Sequence, residues 1–370
     1  MTWTAHASVH AVQVVPNDAP RAERAPIPVP DDAWTTTVKK PRLPSWLSVP
    51  VIIAAIPSIP LLIWYAATFP LSIVLGVVPF LIVAPVLIWI DRIEPEPVSA
   101  RIHAFLWGAF VAGSVAIIIN SIVAITAGDI WAAVVSAPIV EESVKALAIV
   151  WALRRAQIDG VMDGIVYAGW AALGFAVIED VSYFANAAAE GDEVLLQTFV
   201  GRALFTPFAH PLFTAWTGLA IGMAVRKRKR LIWAWWGLPI AIILHAMWNG
   251  SLSFAEDDST AVVTVVVLIG FVILFVSAVV AVIVLRRRDL QNVRKLLPWL
   301  TQRYDLPPHI AAAANDLGLR RRTRRQQGSR KAKRQFDRQV GAVTRLAALF
   351  EHEQDPDPTK EARLITQLHS

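Results

Sequence analysis

The sequence predicts an all-α protein, a polytopic membrane helix bundle with about eight transmembrane helices and both termini in the cytoplasm. Of its 370 residues, 55% are hydrophobic and only 17% are charged, whereas about 25% are charged in average soluble domains. The apolar residues also occur in runs of about 20 or more, longer than a buried helix of a soluble protein requires. The absence of cysteine excludes disulfide partners and thiolate metal sites.

The apolar spans follow a polar segment, residues 1–45, which is predicted to be disordered because it has few large apolar side chains. Each span is long enough to cross about 30 Å of hydrocarbon, and prolines in the first two predict kinks there. Residues 46–285 are therefore predicted to form a multi-pass domain in a bacterial-type cell membrane. The predicted spans are residues 47–68, 71–90, 103–127, 131–153, 162–187, 203–225, 231–254 and 261–285.

Basic residues beside the spans predict the orientation. All four basic clusters fall on one side of the membrane if the chain crosses eight times, and lysine and arginine accumulate on the cytoplasmic side. The connections expected on the other side are acidic, around Glu190 and around Asp257. Both termini are thus predicted to be cytoplasmic. The clusters are Lys39, Lys40 and Arg42, then Arg154 and Arg155, then Arg226 to Arg230, then Arg286 to Arg288.

Residues 286–370 are predicted to form a basic, partly helical cytoplasmic tail. From Arg286 to the end there are 19 lysines and arginines against 9 acidic residues, although the whole chain carries a net charge of only +6. A polybasic segment next to a membrane favours contact with an anionic lipid surface. Few aromatic residues interleave the cations, so no nucleic-acid partner is expected.

Ionisable side chains lie inside the fourth to seventh spans, where burial of a charge in lipid costs at least ~2.5–3.5 kcal/mol. Counted from the outer ends of these spans, the carboxylates and imidazoles lie at a similar depth of about 10–15 Å. A shared depth predicts one polar site within residues 130–255. The ionisable residues are Glu141, Glu142, Lys145, Glu179, Asp180, His210 and His245.

Helical spacing places several of these groups on common faces. In the fourth span the lysine follows the first glutamate by one turn and can partly neutralise the acidic pair. His245 and Asn249 are also one turn apart, so both side chains can reach one ion or one substrate carbonyl. Gly218 and Gly222 form a small-xxx-small pattern that predicts close approach of another helix.

In order and spacing, these motifs resemble those of the PrsW family of intramembrane metalloproteases, and more distantly those of CAAX-protease and bacteriocin-processing membrane peptidases. The resemblance covers about residues 130–255. Asp180 departs from the family pattern, in which an amide commonly follows the motif glutamate. The matching residues are Glu141, Glu142, Lys145, Asp163, Gly164, Gly174, Phe175, Glu179, Tyr183, His210, Phe213, Gly218, Gly222, His245, Trp248 and Asn249.

The resemblance implies a metal-dependent endopeptidase that cleaves a membrane-anchored protein, such as an anti-sigma factor, in or near the outer half of the bilayer. It implies that Glu141 or Glu142 is the general base and that Asn249 orients or stabilises the oxyanion of the tetrahedral intermediate. A base, a metal and a hydrogen-bond donor together fit peptide hydrolysis. The resemblance also implies a catalytic metal, most simply zinc. Its ligands would come from three spans: Glu179, His210 and His245.

The residues alone leave two other functions open. A proton- or ion-coupled transporter could use the same glutamates and histidines as a relay, and a catalytically inert scaffold could retain the fold. A transporter is expected to show paired inverted repeats with polar residues in both halves, whereas these lie in one half. An inert relative is expected to lose a motif residue, and none is missing. For each single residue, the structural alternative is an ion pair or hydrogen bond between helices.

Overall fold

The structure is a computed structural model that describes residues 48–227, 229–253, 261–352 and 358–369. Within these ranges the chain forms helices and no strand, which confirms the predicted all-α class. The predicted disordered segment 1–45, its basic cluster and the acidic connection around Asp257 lie outside the described residues.

The chain divides into two compact units, one ending at Gln291 and the other beginning at Asn292. The first unit contains the apolar helices, several of which include π-helical segments at Trp107–Ala112, Ala132–Ser136 and Val200–Phe205. Its helices are α1 Val49–Thr68, α2 Pro70–Gly76, α3 Val78–Ile90, α4 Val98–Leu106, α5 Gly113–Ala127, α6 Asp129–Trp131, α7 Ala137–Arg154, α8 Val161–Glu190, α9 Asp192–Phe199, α10 Ala209–Arg226, α11 Gly237–Ser253 and the first part of α12 Ala261–Tyr304.

Among the described residues, seven helices are long and apolar enough to cross a membrane, and they overlap seven of the eight predicted spans. The chain is a multi-pass integral membrane protein. The predicted fourth span also forms a continuous helix, Asp129 to Arg154, about 39 Å long. It is absent from the seven because its acidic and basic side chains make it too polar. The seven are Val49–Thr68, Pro70–Ile90, Val98–Ala127, Val161–Glu190, Asp192–Arg226, Leu231–Ser253 and Val262–Tyr304.

The prolines of the first two predicted spans differ in their effect on the helices. Pro57 and Pro60 lie inside α1 without ending it. The second predicted span is instead divided into α2 and α3 at Val77, just before Pro79 in the first turn of α3. A proline in the first turn is tolerated because its missing N–H has no intrahelical partner there.

Helix α8 is the most buried of the seven spans, and glycines allow its neighbours to approach closely. A Cβ atom on Gly164 would lie 2.1 Å from the carbonyl oxygen of Gly218 in α10, and one on Gly222 would lie 2.5 Å from that of Gly160. The close approach predicted for the glycine pair of α10 is therefore confirmed, and α8 is the partner. On another face, a Cβ on Gly174 would lie 1.9 Å from a carbonyl oxygen of α4. This tight packing fixes the position of the polar residues on α8 and α10.

The second unit is a set of helices around its own apolar core, formed by side chains such as Leu300, Phe336 and Leu346. Asp316 caps one helix by accepting hydrogen bonds from the backbone N–H groups of residues 318 and 319 at 2.6 and 3.1 Å. These bonds hold the pKa of Asp316 below its ordinary value. The predicted basic tail thus includes a folded helical part. Its helices are the end of α12, α13 Pro308–Asn315, α14 Leu317–Gln326, α15 Arg330–His352 and α16 Pro358–His369.

Candidate active site

Four helices bring the sequence-predicted ionisable residues into one cluster inside the membrane unit. Helix α7 contributes two adjacent glutamates and a lysine, and α8, α10 and α11 contribute one group each. The cluster is largely shielded from solvent, since Glu142 and Lys145 are 0% exposed and His245 is 1% exposed. The residues brought together are Glu141, Glu142, Lys145, Glu179, His210 and His245.

The Glu142 carboxylate is held by three neighbours. Its Oε1 atom accepts a hydrogen bond from Lys145 Nζ at 2.9 Å and lies 3.2 Å from His245 Nδ1. Its Oε2 atom accepts from the hydroxyl of Thr214 at 2.7 Å. A buried carboxylate needs such partners because leaving a charge unsatisfied in an apolar environment is costly. Glu142 is therefore fixed in orientation beside the imidazole of His245.

The Lys145 ammonium lies between the two halves of the cluster. Besides its bond to Glu142, it is 3.4 Å from Glu141 Oε2 and 3.2 Å from His210 Nδ1. It also lies 3.8 Å from the centre of the Phe175 ring, within range of a cation–π interaction. The surrounding groups thus stabilise positive charge at this position.

His210 connects the lysine to a second ionic group. Its Nε2 atom lies 2.8 Å from Glu179 Oε2, and the Arg202 guanidinium donates a hydrogen bond to the same carboxylate. Arg202 Nε also donates to Asp180 Oδ1 at 2.5 Å, so the acid that departs from the family pattern has a cationic partner. The guanidinium lies 3.8 Å from the ring centre of Tyr183.

Three donors from three helices could hold a metal ion. A carboxylate oxygen of Glu141 and ring nitrogens of His210 and His245 all lie within 4.8 Å of one another. Glu141 Oε2 is 3.9 Å from His245 Nε2. Two imidazoles and a carboxylate form a donor set found in catalytic zinc sites. The set differs from the predicted ligands in one member, since Glu141 takes the place of Glu179. The Glu179 carboxylate instead lies beside His210 Nε2 and accepts a hydrogen bond from Arg202.

Other motif residues lie outside this cluster. Asn249 donates a hydrogen bond from its side-chain amide to the carbonyl oxygen of Ala133 at 2.8 Å, so in the structure it joins α11 to the helix of α7. Asp163 accepts backbone hydrogen bonds from residues 159 and 160 at 3.0 and 2.8 Å and thereby caps α8.

Sequence reasoning missed several residues of the site. Arg202 lies in the π-helical segment Val200–Phe205, one residue before the predicted sixth span, and so was not counted among the charges in the membrane. Asn120 donates to Glu141 Oε1 at 3.4 Å and accepts from Ser136 at 2.8 Å. The sequence signal for Asn120 and Ser136 was weak, because each is a single uncharged polar side chain in an apolar span.

Comparisons with known proteins identify the family of the chain. A family model described as PrsW family intramembrane metalloprotease matches residues 96–283. Protease PrsW of Clostridioides difficile (strain 630) is 32% identical over 184 residues, covering 46% of this chain and 76% of that protein. Protease PrsW of Geobacillus kaustophilus (strain HTA426) is 31% identical over 172 residues, covering 45% and 72%. No solved structure matches the chain significantly.

A bundle of membrane helices that encloses buried carboxylates and imidazoles fits a membrane-embedded peptidase. With the matches above, the chain belongs to the PrsW family of intramembrane metalloproteases. The predicted family is confirmed, and with it a protease of multi-pass type in bacteria. The family description implies a metal, for which the Glu141, His210 and His245 donors provide a chemically suitable site.

Proposed function

We propose that the chain cleaves a membrane-anchored protein, such as an anti-sigma factor, in or near the outer half of the bilayer. The observation that supports this most strongly is the convergence of Glu141, His210 and His245 donors within 4.8 Å in a member of a protease family. Peptide hydrolysis in a membrane needs such polar groups held in an enclosed site, since water and charge are otherwise excluded.

Helix lengths support the proposed depth. His210 lies 16 residues, about 24 Å, from the end of α10 at Arg226. Glu179 lies 18 residues, about 27 Å, from the start of α8 at Val161. The basic cluster after α10 marks the cytoplasmic side by the usual distribution of lysine and arginine. Both side chains are then beyond the middle of the bilayer. With eight crossings, both chain termini lie in the cytoplasm.

We assign the metal to Glu141, His210 and His245, with zinc as the ion that this donor set favours. When bound, such an ion supplies Lewis-acid activation of the substrate carbonyl and of water. Glu179 then orients His210 through the ring nitrogen that faces away from Lys145, as carboxylates next to metal-binding histidines commonly do. This assignment replaces Glu179 of the predicted ligand set with Glu141.

Glu142 remains as the general base of the adjacent glutamate pair. Its carboxylate lies beside His245 at 3.2 Å and is oriented by Lys145 and Thr214. It takes the proton of the attacking water and transfers it to the leaving amine. Lys145 holds the carboxylate in place and compensates one of the two charges of the glutamate pair. The oxyanion role implied for Asn249 stays a prediction.

The second unit is proposed to contact anionic lipid. Helix α14 and the start of α15 expose arginines and lysines, whereas the apolar face of α15 packs into the core of the unit. Contact would therefore depend on charge and weaken with salt. The exposed cations are Arg321, Arg322, Arg324, Arg325, Arg330, Lys331 and Arg334.

The test uses the purified full-length protein in lipid nanodiscs with a panel of single-span proteins, anti-sigma factors among them. We expect about one zinc per chain, cleavage of at least one panel member at a bond in or beside its span, loss of cleavage after chelation and recovery on zinc addition. A metal-free wild-type protein that still cleaves, or a zinc-loaded protein that cleaves no panel member, would contradict the proposal.

A further inference from the structure

We propose that Arg202 is a positioning residue that holds the Glu179 carboxylate against His210 and so fixes the ring that binds the metal. This inference rests on the proposed function. Nothing in the motif pattern assigns a role to Arg202, which lies outside the four matched motifs. It is a further determinant of the same site, supplied by a segment that precedes α10.

The contacts of the guanidinium fix its position with three groups of α8. One nitrogen donates to Glu179 Oε2 and Nε donates to Asp180 Oδ1 at 2.5 Å. The Cζ atom of the guanidinium lies 3.8 Å from the ring centre of Tyr183. Arginine is suited to this combination because its planar fork can serve two carboxylates and stack on an aromatic ring at once.

The negative charges of Glu179 and Asp180 also require a cation such as Arg202 nearby. Glu179 and Asp180 are adjacent acids in the middle of an apolar helix, and two carboxylates so placed repel each other where the dielectric is low. Arg202 lies between them and compensates one of the two charges. Without it, the Glu179 carboxylate would lose a charge-assisted bond and would be repelled by its neighbour. It would then no longer be held in the orientation that places Oε2 2.8 Å from His210 Nε2.

The backbone that carries Arg202 is consistent with a specialised role. The residue lies in the π-helical segment Val200–Phe205, between α9 and α10, and such segments occur frequently at functional sites. The side chains of Arg202 and Glu179 are 26% and 19% exposed, whereas those of Glu141 and Glu142 are 4% and 0% exposed. The pair therefore lies on the more exposed side of the cluster.

The experiment measures the zinc affinity of the metal-free full-length protein by chelator competition, together with kcat and KM. Arg202→Gln should weaken zinc binding, by no more than the about 10–100-fold expected from losing Glu179, which is the direct partner of the metal-binding histidine. It should lower kcat with KM changed by less than about twofold. Arg202→Lys should recover part of both losses, because it restores the charge without the fork. Arg154→Gln, an exposed arginine at the end of α7, is the control and should match wild type.

One further variant, Asp180→Asn, keeps the result decisive. Asp180→Asn leaves the bond between Arg202 and Glu179 intact and should keep wild-type zinc affinity. A folded Arg202→Gln protein with wild-type zinc affinity and kcat would overturn the inference while leaving the proposed function standing. An Asp180→Asn protein as impaired as Arg202→Gln would also overturn it, since Arg202 would then act through Asp180.

If Arg202→Gln fails to fold, Arg202→Lys decides: unchanged zinc affinity and kcat overturn the inference. Absence of zinc and cleavage in wild type would instead refute the proposed function itself.

Discussion

The Nε2 atom of His210 lies 2.8 Å from the Oε2 atom of Glu179, although the two residues are 31 positions apart on different helices. This bond fixes one edge of the imidazole and leaves the other edge, Nδ1, 3.2 Å from Lys145. The carboxylate fixes the tautomer of this ring, and Nδ1 can bind a metal once the Lys145 ammonium moves aside. The role of Glu179 therefore decides which carboxylate binds the ion.

Replacing Glu179 with Gln should weaken zinc binding by about 10–100-fold without abolishing it, because an orienting partner is lost and the ligands remain. Chelator competition on the full-length protein measures this. Glu193→Gln serves as the matched control, since Glu193 is an exposed acid at the start of α9. Complete loss of zinc from a folded Glu179→Gln protein would show that Glu179 is itself a ligand, as the sequence resemblance implied.

Replacing Glu142 with Gln should lower kcat by roughly 10²–10⁴-fold. Glutamine keeps the shape of the side chain, and its oxygen can still accept a hydrogen bond from Lys145 while its amide nitrogen donates to the Thr214 hydroxyl, but it cannot take a proton. Zinc content should stay near that of wild type. The measurement is single-turnover cleavage with zinc analysis of the same sample. Near wild-type turnover of the Gln variant would remove Glu142 from the chemistry.

The glycine contact between α8 and α10 makes a prediction about stability. A Cβ atom at Gly164 or Gly218 would lie 2.1 Å from a backbone oxygen of the facing helix, so the helices must separate. Gly164→Ala should destabilise the protein by about 1–3 kcal/mol, seen as a lower unfolding midpoint in detergent. Gly270→Ala is the control, because a Cβ there meets nothing within 4 Å. Equal midpoints for the two variants would contradict the close packing described.

The orientation can be tested with reporter fusions along the chain. Fusions at Glu190 should report an extracytoplasmic position, and fusions after Arg230 and Arg288 should report the cytoplasm, because the basic clusters are expected inside. The pattern also requires that the polar helix from Asp129 to Arg154 cross the membrane. If fusions at Glu190 and after Arg230 were on the same side, the eight-crossing arrangement would be wrong.

The fold class and the location of the site could be predicted from the sequence, whereas the pairings within the site could not. Apolar runs identify membrane helices by length alone, and a charge inside such a run is costly enough to indicate a site. Depth counted from span ends is accurate only to several residues, so it could not distinguish Glu141 from Glu179 as the neighbour of both histidines. Arg202 was missed because the helix before α10 begins at Asp192, eleven residues before the predicted span.

The central claim is that Glu141, His210 and His245 share one metal ion, and zinc content per chain tests it most directly. Full-length wild type, Glu141→Gln, His245→Ala and the control His309→Ala, an exposed histidine of the second unit, would be purified side by side after equal zinc loading. We predict about one zinc per chain for wild type and the control, and near-background zinc for folded Glu141→Gln and His245→Ala. Wild-type zinc content in His245→Ala would contradict the account.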